Sequence, residues 1–204
     1  NNFSLTAGTS YDWMLDVPGN SYATLNPLDI KPTAITLANG NLSASATAVA
    51  CKLRASQGMS ADKWYFEFTA TSANNQFGVA LISSIYNAYV GGDSASYGYF
   101  ANDGNKYNNG SATAYGSTYT TNDVIGVAYD ASAGKLYFSK NGTWQNSGDP
   151  TAGTNPAFSG MSGTFYPAIS GAAAGATASE LNFGQAPLHA SATYHSAAGG
   201  YFRY

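Results

Sequence analysis

Residues 63–69 read Lys63-Trp-Tyr-Phe-Glu-Phe-Thr69, and this stretch decides the fold. Trp64, Phe66 and Phe68 fall on one side of an extended chain, and Tyr65, Glu67 and Thr69 on the other. Strict alternation is the period of a β-strand with one face buried. Three aromatic rings on one face carry a large apolar area, so this face is expected at the centre of a core.

The neighbouring segments read as strands that cover it. Ala34-Ile-Thr-Leu is followed by the turn dipeptide Asn39-Gly40 and a returning strand from Asn41. Residues 47–55 give the next strand, and a turn around Gln57-Gly58 leads into the aromatic one. After a turn at Ala73-Asn-Asn-Gln, the run from Phe77 places Phe77, Val79 and Leu81 inward. Asp123-Val-Ile-Gly-Val-Ala-Tyr-Asp130 puts Ile125, Val127 and Tyr129 on one face. Lys135-Leu-Tyr-Phe-Ser and the residues after Asn141-Gly142 form a hairpin, since that dipeptide accepts the positive φ of a tight turn. Thr164-Phe-Tyr-Pro-Ala-Ile-Ser and Thr177-Ala-Ser-Glu-Leu-Asn-Phe-Gly complete the set, with Pro167 expected on an edge or at a bulge. Many short strands punctuated by turns, with no long helical period, predict an all-β sandwich or barrel in one domain, residues 33–204. Residues 1–32 hold Phe3, Trp13, Met14, Leu15, Tyr22 and Leu25, too apolar for a free tail, and are expected to pack on that domain as an arm.

Composition excludes several functions. Only 9% of the 204 residues are charged and the formal net charge is -3, which argues against a nucleic-acid surface. No run reaches the length of a membrane span, so no membrane insertion is expected. No signal peptide and no initiator Met open the sequence, as expected of a processed product or a piece of something longer. Cys51 is the single cysteine and alternates with Val49 and Leu53, which predicts a small core residue.

The order of six blocks resembles the SPRY domain family: Lys63-Trp-Tyr-Phe-Glu-Phe, Phe77-Gly-Val-Ala, Asp123-Val-Ile-Gly-Val-Ala-Tyr-Asp, Gly134-Lys-Leu-Tyr-Phe-Ser-Lys-Asn-Gly, Thr164-Phe-Tyr-Pro-Ala-Ile and Leu181-Asn-Phe-Gly-Gln. The likeness covers roughly residues 38–188. It implies a concanavalin-like jelly roll of two antiparallel sheets and a non-catalytic recognition module that binds through loops at one end. Asn2-Phe-Ser-Leu-Thr-Ala-Gly and Tyr22-Ala-Thr-Leu-Asn-Pro-Leu resemble the leader of SPRY-bearing proteins of tailed bacteriophages and prophages. That likeness implies a virion component, a fibre or tail protein, located outside the cell. Residues 189–204 match nothing in the family pattern.

The candidate chemistry is sparse. A glycosidase needs two facing carboxylates, but the only glutamates, Glu67 and Glu180, stand on different strands without acidic neighbours. Most aspartates sit beside turns, where Asp caps the backbone. His189 and His195 lack a nucleophile motif, and Asp93 and Asp103 lack the ladder of a calcium loop. No catalytic residue, metal or cofactor is expected.

The binding candidates lie in the tyrosine-rich stretch 83–121, read as short strands joined by flexible loops: Tyr86, Tyr89, Asp93, Tyr97, Tyr99, Asp103, Tyr107, Asn108 and Tyr115. Trp144, on the opposite alternation from Phe138, is a further candidate. Tyrosine presents a rigid amphipathic face, and Ser, Gly and Asn around it supply adaptable hydrogen bonds. Three readings stand open: a loop surface for a host glycan or protein, a contact with other virion subunits in a head-fibre or capsid-decoration domain, and plain packing. A homo-oligomer is expected from the low charge and the many small polar residues.

Overall fold

A computed structural model describes residues 22–29, 35–46, 51–85, 87–171, 177–185 and 202–203. The strands are β1 (Ile35–Ala38), β2 (Ser43–Ala46), β3 (Cys51–Arg54), β4 (Lys63–Ala70), β5 (Asn75–Leu81), β6 (Ser96–Phe100), β7 (Asn105–Asn108), β8 (Ser111–Ala114), β9 (Val124–Asp130), β10 (Lys135–Lys140), β11 (Thr143–Trp144), β12 (Phe165–Gly171), β13 (Thr177–Asn182) and β14 (Phe202–Arg203). They form two sheets. One runs β1-β2-β13-β4-β9-β10-β11, with β14 also on β4, and the other runs β3-β12-β5-β6-β7-β8. All pairings are antiparallel except β14 on β4. The molecule is an all-β sandwich.

The aromatic stretch is the core strand of the first sheet. Phe66 and Phe68 are fully buried and Trp64 packs at the margin of the same cluster. Phe68 stacks on Phe77 of the facing sheet, with centroids 4.6 Å apart and planes within 9°. Val79, Ile125, Val127, Leu136 and Phe138 fill the space around this pair. Cys51 lies in the same core.

The opposite side of β4 is also buried. Tyr65, Ala128 and Tyr137 form a second cluster that Trp144 covers, and Tyr65 donates to Glu67 at 2.9 Å. Trp144 is therefore a half-buried lid, edge-on to Tyr65 and Tyr137.

Turn chemistry follows the dipeptides. Asn141 (φ 47°) and Gly142 (φ 80°) join Lys140 to Thr143 with two residues, and Asn109 (φ 52°) and Gly110 (φ 74°) do the same between Asn108 and Ser111. Around Asn39-Gly40 the turn is longer than expected, because Asn41 also has positive φ (65°) and pairing resumes only at Ser43.

Pro167 is on neither an edge nor a bulge: β12 lies between β3 and β5. It is tolerated because the β3 ladder stops at Arg54↔Ala168, so the proline sits one residue beyond it and only its carbonyl is used, by Ala55 N–H at 2.8 Å.

Of the segment 1–32, only residues 22–29 are described. Ala23 and Leu25 are buried in the main core, and residues 24–26 bond the backbone of residues 54–56. At the other end, Phe202 and Arg203 pair with Trp64 and Tyr65 along the margin of β4 that β13 leaves open. No sequence signal announced that strand.

Phe68→Ala should lower unfolding stability by about 3–5 kcal/mol in urea denaturation, the cost of emptying a fully packed aromatic site. Thr69→Ala, one residue on and facing away from the core, should stay within about 0.5 kcal/mol of wild type.

Candidate functional site

The outer face of the six-stranded sheet carries the most elaborate site among the described residues. Its floor is made of small residues: Ala80, Ala168, Gly78 and Gly98 alternate with the core-facing side chains of β5, β12 and β6. Residues 82–85 and 87–95, which lead from β5 to β6, fold back over this floor. Val90 packs on Ala80 and Ala168. The contact is close enough to require glycine, since a Cβ on Gly98 would meet the Val90 carbonyl oxygen at 2.4 Å. Gly91, at φ +91°, lies equally close to the Tyr107 backbone.

Two cations of β3 fasten the loop. Lys52 and Arg54 alternate with Cys51 and Leu53, so both project onto the outer face, where they are 2% and 3% exposed. The Lys52 ammonium donates to Asp93 Oδ2 at 3.0 Å, to Ser96 Oγ at 2.9 Å and to Ser84 Oγ. Asp93 also accepts from the Ser84 and Ser96 hydroxyls and from the Ile85 and Ala95 backbone N–H groups. Arg54 holds Asp29 in a two-pronged pair at 2.6 and 2.7 Å, and its remaining nitrogen donates to the carbonyls of Leu81, Ile82 and Ser84. A buried charge is tolerated only when paired and hydrogen-bonded, and both cations meet that condition.

The ionisation of the pair reflects this setting. Burial pushes the Lys52 ammonium below its ordinary value, against the pull of Asp93. Burial alone would raise the Asp93 carboxyl, but hydrogen bonds from Ser84, Ser96 and Lys52, together with the lysine charge, outweigh it and hold it below the usual carboxylate range. The stretch expected to be a flexible loop is instead tied down at Ile85, Val90, Gly91 and Ala95.

Beside the loop an aromatic surface opens. Tyr89 and Tyr107 meet edge to face at 6.0 Å, and Phe100 meets Tyr107 in the same way at 5.9 Å. All three are half-buried. Tyr107 donates to Asp103 Oδ2 at 2.5 Å, and Asn105 fixes the same carboxylate from its backbone and side chain. Burial, then the hydrogen bond to Asp103 and the charge of that carboxylate, push the Tyr107 phenol up to about 12, so it stays protonated as a donor. The arrangement offers flat apolar faces next to an exposed carboxylate. It has the chemistry of a binding surface: apolar area with a few fixed polar groups.

The sequence candidates therefore separate. Tyr89, Asp93, Asp103 and Tyr107 come together on this outer face. Asn108 stands opposite Tyr97 in the register and so alternates away from Tyr107, its amide donating to the Ser96 carbonyl at 2.8 Å. Tyr97, Tyr99 and Tyr115 do not belong with them. Tyr97 and Tyr99 alternate onto the inner face, Tyr99 fully buried and Tyr97 packed on Phe158 and Phe165. Tyr115 is buried against Phe138. Trp144 lies on the other sheet. Tyr86, His189 and His195 lie outside the described residues.

Phe100, Lys52, Arg54 and Asp29 were missed. Phe100 was readable, since alternation in Ser96-Tyr-Gly-Tyr-Phe sets it opposite Tyr97 and Tyr99. Two cations two residues apart inside a strand, in a chain so poor in charge, were a signal as well.

Among the described residues, no three His, Cys, Asp or Glu side chains are grouped to hold a metal, and no helix is long and apolar enough to cross a membrane. The Asp103, Asp123, Asp130 and Asp149 carboxylates accept backbone N–H groups of their own turns.

Fold and surface define a two-sheet β-sandwich with an aromatic cluster on the outer face of one sheet. The SPRY domain model matches residues 63–186, more than half of the chain, and the chain belongs to the SPRY domain family. SPRY domains are protein-interaction domains. The chain is 31% identical over 130 residues to the Ran-binding proteins 9/10 homolog of Drosophila melanogaster, covering 61% of this chain and 12% of that protein. It is 31% identical over 94 residues to the dual specificity protein kinase splA of Dictyostelium discoideum, covering 45% of this chain and 4% of the kinase. Against Ran-binding protein 9 of Homo sapiens it is 29% identical over 130 residues, covering 61% of this chain and 16% of that protein. The chain thus spans only a small part of each of these relatives.

Asp93→Asn should lower stability by about 3 kcal/mol, because it strands the buried Lys52 ammonium. Asp93 ionises more readily folded than unfolded, so its contribution is complete above the ordinary carboxylate range and is lost as pH falls through its lowered value. Urea unfolding at a series of acid pH values should show wild type losing stability there more steeply than Asp93→Asn.

Proposed function

We propose that this chain is a non-enzymatic recognition domain that binds a host-surface glycan or protein through the outer face of the six-stranded sheet. The observation that carries the reading is the Tyr89–Tyr107–Phe100 cluster beside Asp103. A pyranose or a peptide side chain stacks on such rings, while the carboxylate and the tyrosine hydroxyls orient it. The small energetic cost of ordering tyrosine suits this use, and the fastened loop removes most of what remains. Membership in a family of interaction domains supports the reading.

We place the domain in a fibre or tail protein of a phage or prophage virion. That placement rests on the likeness of residues 2–8 and 22–28 to virion leaders, the first of which lies outside the described residues. The relatives named above are eukaryotic proteins and contribute only the recognition module to the reading.

A second reading, a head-fibre or capsid-decoration domain that assembles with other virion subunits, is favoured by three exposed aliphatic side chains. Leu28, Ile82 and Ile85 are 92%, 68% and 58% exposed. They stand around the Arg54–Asp29 pair, which bonds the backbone at Ile82 and Ser84.

The test is binding of the purified domain to a glycan array and to host-surface fractions. Tyr107→Ala and Tyr89→Ala should each weaken binding about tenfold, the loss typical of an aromatic anchor. Trp144→Ala, on the other sheet, should leave it unchanged. Loss with Trp144→Ala but not with the two tyrosine variants would overturn the assignment of the face.

A further inference from the structure

The free edge of the six-stranded sheet, β8, is exposed at every residue. We propose that β8 is a self-pairing edge, through which two copies of this chain join their six-stranded sheets into one continuous sheet about a twofold axis.

The geometry starts at the Asn109-Gly110 turn. In a two-residue hairpin, the residues flanking the turn form a hydrogen-bonded pair, and such pairs recur at every second position. Asn108↔Ser111 and Lys106↔Thr113 are therefore hydrogen-bonded pairs within the hairpin. Ala112 and Ala114 consequently turn their backbone N–H and C=O groups away from β7. Among the described residues, no other backbone group bonds them.

All four residues Ser111, Ala112, Thr113 and Ala114 are exposed, so nothing described covers the strand on either face. It carries no charge, proline or bulge, the devices that protect an edge from pairing. The remaining edges differ: β1, likewise four residues without charge or proline, has Ile35 buried and Leu37 half-buried, so it is not exposed along its whole length. The edge of β3 is continued by residues 24–26 against residues 54–56, and β11 is two residues long before a 3-10 turn, Gln145–Ser147.

A second copy of β8 fits this edge in one register that uses every outward group. With Thr113 opposite Thr113 of the second copy, Ala112 faces Ala114 and Ala114 faces Ala112. The two Ala–Ala pairs are the hydrogen-bonded ones, and the two threonines fall in the close non-bonded position, where a Thr–Thr pair is favourable. The absence of any charge on the strand removes the like-charge repulsion that a twofold contact otherwise creates. Residues directly opposite in antiparallel strands share a face, so the Tyr107 surfaces of both copies end up on the same side. A bivalent ligand or a repetitive surface would then be held by both.

The contact is short, so association is expected to depend on concentration across the micromolar to millimolar range. Sedimentation equilibrium of wild type should rise from 21.1 kDa towards twice that mass. Thr113→Lys, which sets two like charges together on the axis, should stay monomeric with unchanged circular dichroism and thermal midpoint. Ala112→Pro, which removes an outward N–H, should do the same. Amide exchange at Ala112 and Ala114 should slow in concentrated wild type and not in Thr113→Lys. A wild type that is monomeric throughout overturns the proposal. So does a Thr113→Lys variant that dimerises like wild type, or a dimer in which these two amides stay unprotected. Protection that appears only on adding a different protein assigns the edge to a foreign strand and equally overturns self-pairing.

Discussion

Lys52 and Arg54 project from β3 onto the outer face of a sheet that residues 82–85 and 87–95 close over, and neither ammonium nor guanidinium reaches water. Everything on that face follows from how the two charges are satisfied. Asp93 and Asp29 neutralise them, Ser84 and Ser96 complete the hydrogen bonding, and the carbonyls of Leu81, Ile82 and Ser84 occupy the last guanidinium nitrogen. Satisfying the cations therefore draws both ends of the loop down on the sheet. The close backbone approaches at Gly91 and Gly98 then fix its middle. Tyr89 is carried to the edge of Tyr107 as a consequence.

The two sheets are covered in different ways. Over the eight-stranded sheet, Trp144 and Tyr65 make an apolar patch, with Glu67 held by Tyr65. Over the six-stranded sheet the cover is polar beneath and aromatic beside. A surface that is rigid because of buried ion pairs can present tyrosines without the ordering cost that a mobile loop would carry. That is the physical case for placing recognition there and not at Trp144.

The sandwich was legible because aromatic and aliphatic alternation is dense in β4, β5, β9 and β10, and alternation reports a buried face directly. The two-residue turn at Asn141-Gly142 was legible for an equally local reason. The tyrosines were not sorted, although their alternation was available: Tyr97 and Tyr99 alternate inward, while Phe100 alternates towards Tyr107 and touches the core only at its margin, and composition alone treats them alike. The fastening of the loop was beyond sequence reading, since Lys52 and Asp93 are joined only by the fold, across 41 positions. The same is true of β14, a two-residue strand whose pairing is set by the vacancy β13 leaves on β4.

Residues 82–85 and 87–95, between β5 and β6, belong to the rigid body and are not a mobile connection. Native-state amide hydrogen exchange measures this most directly. Ile85, Val90, Gly91 and Ala95, whose N–H groups are held by Asp93, Ser170 and Ser96, should exchange with protection approaching that of the β5 core amides. Exchange of these four amides at the rate of an unstructured loop, with β5 still protected, would contradict the account.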